Sequence, residues 1–439
     1  MRNSYSILIV LASWLILVQA GKAQQLETFL SAHKEITSFE KLTGDSPFQE
    51  VWKVMIRQPL DHSDTTHGFF QQRIFVAERD AGKHVVFVTE GYTGGYAART
   101  SYENELSQIL DANQIVVEHR YFGKSVPDTI NWDYLTVENA AADHHEIIDL
   151  FDDYYTGKWI STGISKGGQT ALYHLTFYPD DVDISVPYVA PLNYSVEDGR
   201  HEIFIDHVAT PESRKRVRDF QIEVLKRREQ LMPEFEQYIR EKGLEYRIPI
   251  DAVYDYCVLE YSFSFWQWGS AVESIPGKEA SDSLICNHLM AVSGPEYFAI
   301  NGMESIRPFF VQAAKELGYY GYDTKSFEPW LTIKNAKGYL SSVMLPEGMK
   351  IRFNHRTNKK VFKFIRKKDP KMIFIYGEYD PWSASGVVFE HKNNMLKIVK
   401  PAGSHATRIN NLPDQLHELV VDTLLKWTKD EIEIRNTKS

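Results

Sequence analysis

The segment that most constrains the fold is Trp159-Ile160-Ser161-Thr162-Gly163-Ile164-Ser165-Lys166-Gly167-Gly168. A short apolar run leads into the Gly-x-Ser-x-Gly pentapeptide Gly163 to Gly167, and a helical pattern, Gln169 to Leu175, follows it. Strand, sharp turn and helix in that order predict a nucleophile elbow, which lifts a serine hydroxyl above the end of a parallel sheet. The glycines have a steric reason, because strand and helix crowd the positions flanking the serine and leave no room for a Cβ. The same pentapeptide arises by chance in loops; here the periodicity on either side gives it meaning.

Around this segment short apolar runs alternate with helical patterns. Glu50 to Arg57 and Gln72 to Ala77 alternate with period two and predict an antiparallel pair, joined through Pro59-Leu60-Asp61-His62. His84 to Thr89, Ile115 to Glu118, Trp159 to Thr162, Asp183 to Pro191, Lys371 to Tyr376 and Met395 to Val399 predict the remaining strands. Helices are expected over Asn104 to Leu110, over Leu135 to Phe151 with Thr136 as cap, and over Asp414 to Trp427. From about Glu197 to Pro346 the chain turns helical and aromatic, without the Gly/Ser or Pro runs of a linker. It includes a charge-rich amphipathic helix, Arg214 to Lys242, and the aromatic run Tyr254 to Trp268. Alternating strands and helices imply a mostly parallel sheet covered on both faces. The expected architecture is an α/β-hydrolase fold, residues 24–196 and 347–439, with an inserted helical cap over 197–346.

Of 439 residues, 43% are hydrophobic and 25% charged, enough apolar material for a sizeable core. A net charge of -10 argues against a nucleic-acid partner or an anionic membrane surface, both of which need clustered positive charge. At the N-terminus Arg2, the apolar run Ile7 to Val18 and Ala20-Gly21-Lys22-Ala23 read as a secretory signal over residues 1–23. The run is too short to span a bilayer, so the expected product is periplasmic or secreted, with no stable membrane insertion. Cys257 and Cys286 allow one disulfide or two buried thiols, and spacing does not choose between them. His144-His145 lies inside a helix pattern with Asp143 and Glu146 beside it, and two adjacent histidines do not have the i, i+3 or i+4 spacing of ligands on one helix face; that pair, His62 and His417 read as solvated faces. No metal and no cofactor are expected.

The α/β-hydrolase order of catalytic residues is Ser, Asp, His, each on a loop after a strand. Ser165, Asp380 and His405 satisfy it, with 25 residues between the last two, enough for a helix-and-strand crossover. Taken singly, Asp380 before Pro381 is also a common turn opening and His405 an ordinary loop residue. In order and at strand ends they predict a nucleophile, an orienting carboxylate and a general base. The backbone N–H of Lys166, with that of Tyr92 in the loop after Val88, would form the oxyanion hole.

Several motifs carry a resemblance. Gln58-Pro59-Leu60-Asp61-His62, Gln72-Arg73, Glu118-His119-Arg120-Tyr121-Phe122-Gly123-Lys124-Ser125, Leu135-Thr136-Val137-Glu138, Gly163 to Gly168, Asp380-Pro381-Trp382 and Gly403-Ser404-His405 resemble the lysosomal Pro-Xaa carboxypeptidase and dipeptidyl peptidase II group of serine peptidases. They look still more like the secreted bacterial tripeptidyl aminopeptidases with a Ser-Lys-Gly-Gly elbow. The resemblance implies a helical cap, peptide substrates and a preference for proline on the acyl side of the cleaved bond. Two departures stand out. The larger relatives carry Tyr where this chain has Lys166, and they are richer in disulfides than two cysteines allow.

An enzyme that removes N-terminal peptides needs a carboxylate for the free α-ammonium. Glu90 is the first candidate, since the resemblance places an acidic residue at that loop in amine-binding relatives, and Glu118 is the alternative, with a structural pair to Arg120 as its competing role. Phe265, Trp266 and Trp382 are candidate walls of a pocket for proline. An esterase or lipase using the same three residues, and a non-catalytic hydrolase-fold binding protein, are the competing functional classes.

Overall fold

The computed structural model describes residues 25–429, so the expected signal segment lies outside the described residues. A helix, α1 (residues 25–32), precedes a sheet of nine strands: β1 (Ile36–Leu42), β2 (Glu50–Pro59), β3 (Phe69–Glu78), β4 (Val85–Thr89), β5 (Asn113–Val117), β6 (Trp159–Ile164), β7 (Ile184–Tyr188), β8 (Met372–Gly377) and β9 (Met395–Lys400). Their order in space is β1-β2-β3-β5-β4-β6-β7-β8-β9. The first three strands and the β3/β5 pair are antiparallel; every pair from β5/β4 to β8/β9 is parallel. This is the α/β-hydrolase topology expected from the sequence.

Strands β4, β5, β7 and β8 are buried along their whole length, as strands covered on both faces must be. Their period of two divides the core. Val85, Phe87 and Phe374 pack on one face with α3 (Val137–Asp152) and α4 (Lys166–Phe177). Val86, Val88 and Ile373 pack on the other with α2 (Glu105–Leu110) and the last helix of the chain, Asp414–Lys429. Thr136 caps α3, its side chain accepting from Asn139 N–H at 3.0 Å. The chain leaves β4 for β5 on one side and returns to β6 on the other, so the crevice where ligands gather in such sheets opens at the carboxyl end of β4.

Between β7 and β8 lie α5 (Arg200–Ile205), α6 (Pro211–Lys226), α7 (Arg228–Lys242), α8 (Ile250–Trp268), α9 (Asp282–Val292), α10 (Arg307–Gln312) and α11 (His355–Lys367). The single helix expected over Arg214 to Lys242 is two, breaking at Arg227, where φ -92 and ψ 18 leave the helical region. Phe220, Tyr254, Tyr261, Phe265 and Phe310 build a hydrophobic core of the insertion's own, whereas Val361, Phe364 and Ile365 of α11 pack into the core beneath the sheet. Cys257 and Cys286 are buried free thiols.

Of the histidines expected on solvated faces, His144 is buried and His62 is half-buried against a buried carboxylate. Arg120, 1% exposed, grips Asp143 through two bonds of 2.6 Å, while His62 Nε2 meets the same carboxylate at 2.8 Å. Arg120 also donates to the carbonyls of Pro59 and Leu60, so the Pro-Leu-Asp-His turn is fastened to α3 by a buried charge pair. His144, 1% exposed, lies edge-on to Phe87, and burial pushes its imidazole down to about 3, which keeps it neutral.

Candidate active site

Ser165 sits between the last residue of β6 and the first of α4 with φ 57 and ψ -120. For a residue with a Cβ this left-handed backbone costs about 1–3 kcal/mol and persists only where the surroundings impose it. The imposing contacts are the Ser165 N–H donating to Tyr188 O and Gln169 N–H donating to Ser165 O, both at 2.8 Å. The flanking glycines are required by space. A Cβ on Gly163 would stand 2.3 Å from the Gly167 carbonyl carbon and 2.5 Å from Thr89 O, and one on Gly167 would stand 2.6 Å from Thr89 O.

The loop after β4 lies directly against the elbow. Lys166, 2% exposed, passes beneath it and donates from Nζ to Gly91 O at 2.6 Å, with the rings of Tyr92 and Phe122 5.5 and 5.0 Å away. Burial holds its ammonium well below the usual lysine range, opposed by the neighbouring Glu90 carboxylate. Burial likewise pushes Glu90 up to about 7, against the hydrogen bond it accepts from Tyr96 and the charge of Lys166.

Asp380 follows β8 and His405 follows β9. His405 Nδ1–H donates to Asp380 Oδ2 at 2.8 Å, and Asp380, 0% exposed, accepts the Trp382 N–H on its other oxygen at 3.1 Å. The two loops are bound together by Tyr379 N–H to Gly403 O at 2.8 Å and Ala402 N–H to a Glu378 carboxylate oxygen at 2.7 Å. The helix expected between them is absent: Pro381–Ser385 is one 3-10 turn, after which the chain runs to β9. His405 also meets the insertion. Its N–H donates to Gln267 O at 2.9 Å and its ring lies edge-on to Trp268, with centroids 5.9 Å apart.

A cavity of about 330 Å³ opens over the elbow, with Tyr92, Ser165 and Lys166 along its floor. Helix α8 supplies one wall through Glu260, Ser264, Gln267 and Trp268, and Phe309, Tyr319 and Trp382 close others. Of the residues expected to contact substrate, Trp382 is therefore in place, and four others are not. Phe265, 0% exposed, points into the insertion's core. Trp266 lines a separate cleft with His201 and Phe263. Glu118, 0% exposed, is consumed by five donors: Arg73 at 2.5 Å, Lys124 N–H at 2.7 Å, Thr93 and Ser125 hydroxyls at 2.9 Å and Gly94 N–H at 3.0 Å. Its ion-pair partner is Arg73, not Arg120. Glu90 lies behind Lys166 and is not part of the cavity wall. Reading the aromatic run as a whole missed the face. Glu260, Ser264, Gln267 and Trp268 follow the i, i+4, i+7, i+8 spacing of one helical stripe, so polar residues recurring at that spacing were the available signal.

A strained serine at a strand-to-helix turn, with a buried Asp–His pair on the loops after β8 and β9 of the same largely parallel sheet, defines a serine hydrolase of the α/β-hydrolase architecture. Residues 41–431 match the family model described as PS-10 peptidase S37. The chain belongs to that family and is a serine peptidase. It is 28% identical over 407 residues to the prolyl tri/tetrapeptidyl aminopeptidase of Streptomyces mobaraensis, covering 88% of this chain and 82% of that protein. It is 22% identical over 448 residues to the lysosomal Pro-X carboxypeptidase of Bos taurus, covering 85% and 87%. Among solved structures, the proline iminopeptidase of Mycobacterium smegmatis aligns with a TM-score of 0.40 at 13% identity, over 89% of this chain and 99% of that one. Among the described residues no helix is long and apolar enough to cross a membrane, and no group of three or more His, Cys, Asp or Glu could hold a metal ion.

Proposed function

We propose that this peptidase is an exported aminopeptidase that removes short peptides from free N-termini, preferring proline on the acyl side of the cleaved bond. Ser165 Oγ attacks the scissile carbonyl and His405 Nε2 takes its proton; Asp380 holds Nδ1–H and stabilises the imidazolium. The oxyanion is received by the N–H groups of Lys166 and Tyr92. The imidazolium then protonates the departing amine, leaving the acyl group on Ser165, and water releases it with His405 again acting as base. The observation that carries the reading is the cavity, which stands over Ser165 and has the size of a small-molecule site. Such a space accepts the end of a peptide and not a folded chain. The tri/tetrapeptidyl aminopeptidase relative supports release from the N-terminal end, and the rigid rings of Tyr319 and Trp382 suit a prolyl side chain. Export is supported by the apolar run Ile7 to Val18.

The test is a panel of free-amine peptides that differ only in the residue before the scissile bond, with products read by mass. Short N-terminal fragments ending in proline are the expected products. Loss of single C-terminal residues, cleavage at internal bonds alone, or a flat profile across the panel would overturn the reading. Hydrolysis of acyl esters without peptides would favour an esterase. An active-site serine probe should label the wild type and not Ser165→Ala.

A further inference from the structure

Aminopeptidase action, on which this inference rests, needs a group that recognises the substrate's α-ammonium. Among the described residues only two charged side chains line the cavity, Lys166 and Glu260. Lys166 turns its Nζ away to Gly91 O. Glu260 is 3% exposed, and no Lys, Arg or His among the described residues forms an ion pair with it. Its hydrogen bonds come from hydroxyls alone: Ser264 Oγ donates to Oε1 at 2.5 Å, and Tyr320 and Tyr322 donate to Oε2 at 2.9 and 2.7 Å. A carboxylate offers about four acceptor sites, so Oε1 keeps one unused. A buried carboxylate without a counter-charge is costly and normally has a cation beside it.

We infer that the missing cation is the substrate, and that Glu260 is the acceptor for its N-terminal ammonium group. Three hydroxyls fix the carboxylate in place, Ser264 lies one turn further along the same stripe, and Gln267 beyond it holds His405. Burial raises the empty-site carboxyl to about 7, and no neighbouring charge lowers it. An arriving ammonium would therefore find a group whose ionised form gains from pairing. Glu90 already has Lys166 beside it, and Glu118 has Arg73. Glu260 has neither.

The experiment compares a prolyl tripeptide p-nitroanilide carrying a free amine with its N-acetyl counterpart, on wild type, Glu260→Gln and Glu90→Gln. Removing one partner of a buried charged pair predicts a loss in kcat/KM of about a hundredfold to a thousandfold for Glu260→Gln on the free amine. Hydrolysis of the acetyl peptide and the rate of serine-probe labelling should fall far less than hydrolysis of the free amine. Equal losses on both peptides would make Glu260 merely structural and overturn the inference, as would an undiminished preference for the free amine. The same selective loss in Glu90→Gln alone would assign the ammonium to Glu90. Should Glu260→Gln fail to fold, Glu260→Asp, which keeps the charge and shortens its reach, must still lose preference for the free amine by about tenfold or more; equal losses would overturn the inference in that variant too. A wild type indifferent to acetylation would overturn the aminopeptidase reading itself. A wild type that demands the free amine beside a Glu260→Gln that still does so overturns only Glu260.

Discussion

Replacing Lys166 by Met tests whether the residue after the nucleophile acts through more than its backbone. Its Nζ bond to Gly91 O, 2.6 Å long, fixes the peptide that joins Gly91 to Tyr92. In a trans peptide the carbonyl and the following N–H point in opposite directions, so holding Gly91 O sets the aim of the Tyr92 N–H, a proposed oxyanion donor. Met has similar length and no donor. A hydrogen bond to a charged group contributes about 1.5–3 kcal/mol, and complete loss of an oxyanion donor costs about 2.7–4 kcal/mol in the transition state. Here the donor would be misdirected rather than removed, because the loop keeps Glu90 N–H on Val117 O and His119 N–H on Tyr92 O, each at 3.1 Å. The expected loss is therefore about tenfold to a hundredfold in kcat, or roughly 1.4–2.7 kcal/mol, with KM little altered. Thermal stability should move by only a few degrees, because the substitution unburies no apolar surface and removes a desolvated ammonium. The assay is steady-state hydrolysis of the prolyl anilide beside a melting curve. An unchanged kcat in a folded variant, or a loss confined to KM, would refute the coupling between Lys166 and the Tyr92 donor.

Asp380→Asn should leave the fold intact and lower kcat by about ten-thousandfold, since the amide no longer enforces the His405 tautomer; a loss below tenfold would remove Asp380 from the proposed triad. Glu78 faces Glu50 directly across the β2/β3 pair, and burial first, then that charge, push its carboxyl from 4.5 up to about 7. Between those values the folded protein holds a proton that the unfolded chain has released, so Glu78 lowers stability as pH rises through that window. Glu78→Gln should match wild type in denaturant titrations at pH 5 and exceed it at pH 8 by roughly 1–3 kcal/mol, each pKa unit being worth about 1.4 kcal/mol. An equal difference at both pH values would show that charge is not the cause.

What the sequence made legible was local and periodic. The elbow could be read because Gly163, Ser165 and Gly167 are neighbours in the chain, and their crowding by Thr89 follows from any strand-turn-helix of that kind. Asp380 and His405 were legible because each ends an apolar run. Long-range pairings were not. Glu118 finds its cation 45 residues back, at Arg73, across an antiparallel pair whose register the pattern leaves open. His62 and Asp143 meet from 81 residues apart, so nothing near either marks the pair. β1 carries no alternation to read, because only Ile36 is buried and Phe39 and Leu42 half-buried among four exposed residues. The face of α8 was hidden by composition: with seven aromatic residues among its nineteen, the helix drew the eye to its rings, whereas the cavity stripe is set largely by its polar residues.

If Glu260 receives the ammonium as proposed, the same stripe sets a length. Gln267 holds the N–H of His405, and Glu260 lies seven residues earlier on α8. At 1.5 Å per residue the two are about 10 Å apart along the helix axis. An extended peptide advances about 3.3–3.6 Å per residue, so an ammonium on Glu260 and a scissile carbonyl beside His405 are bridged by about three residues. Two would fall short by about a residue's length, and a fourth would have to buckle within the 330 Å³ available. A series of prolyl anilides carrying two, three, four and five residues should therefore peak in kcat/KM at three, with the peak flattened in Glu260→Gln. A maximum at two residues, or a peak that survives loss of the carboxylate, would show that the acyl chain is measured from some other point in the cavity. On this proposal the sheet supplies the chemistry, and one helix of the insertion would decide how much of the substrate leaves with it.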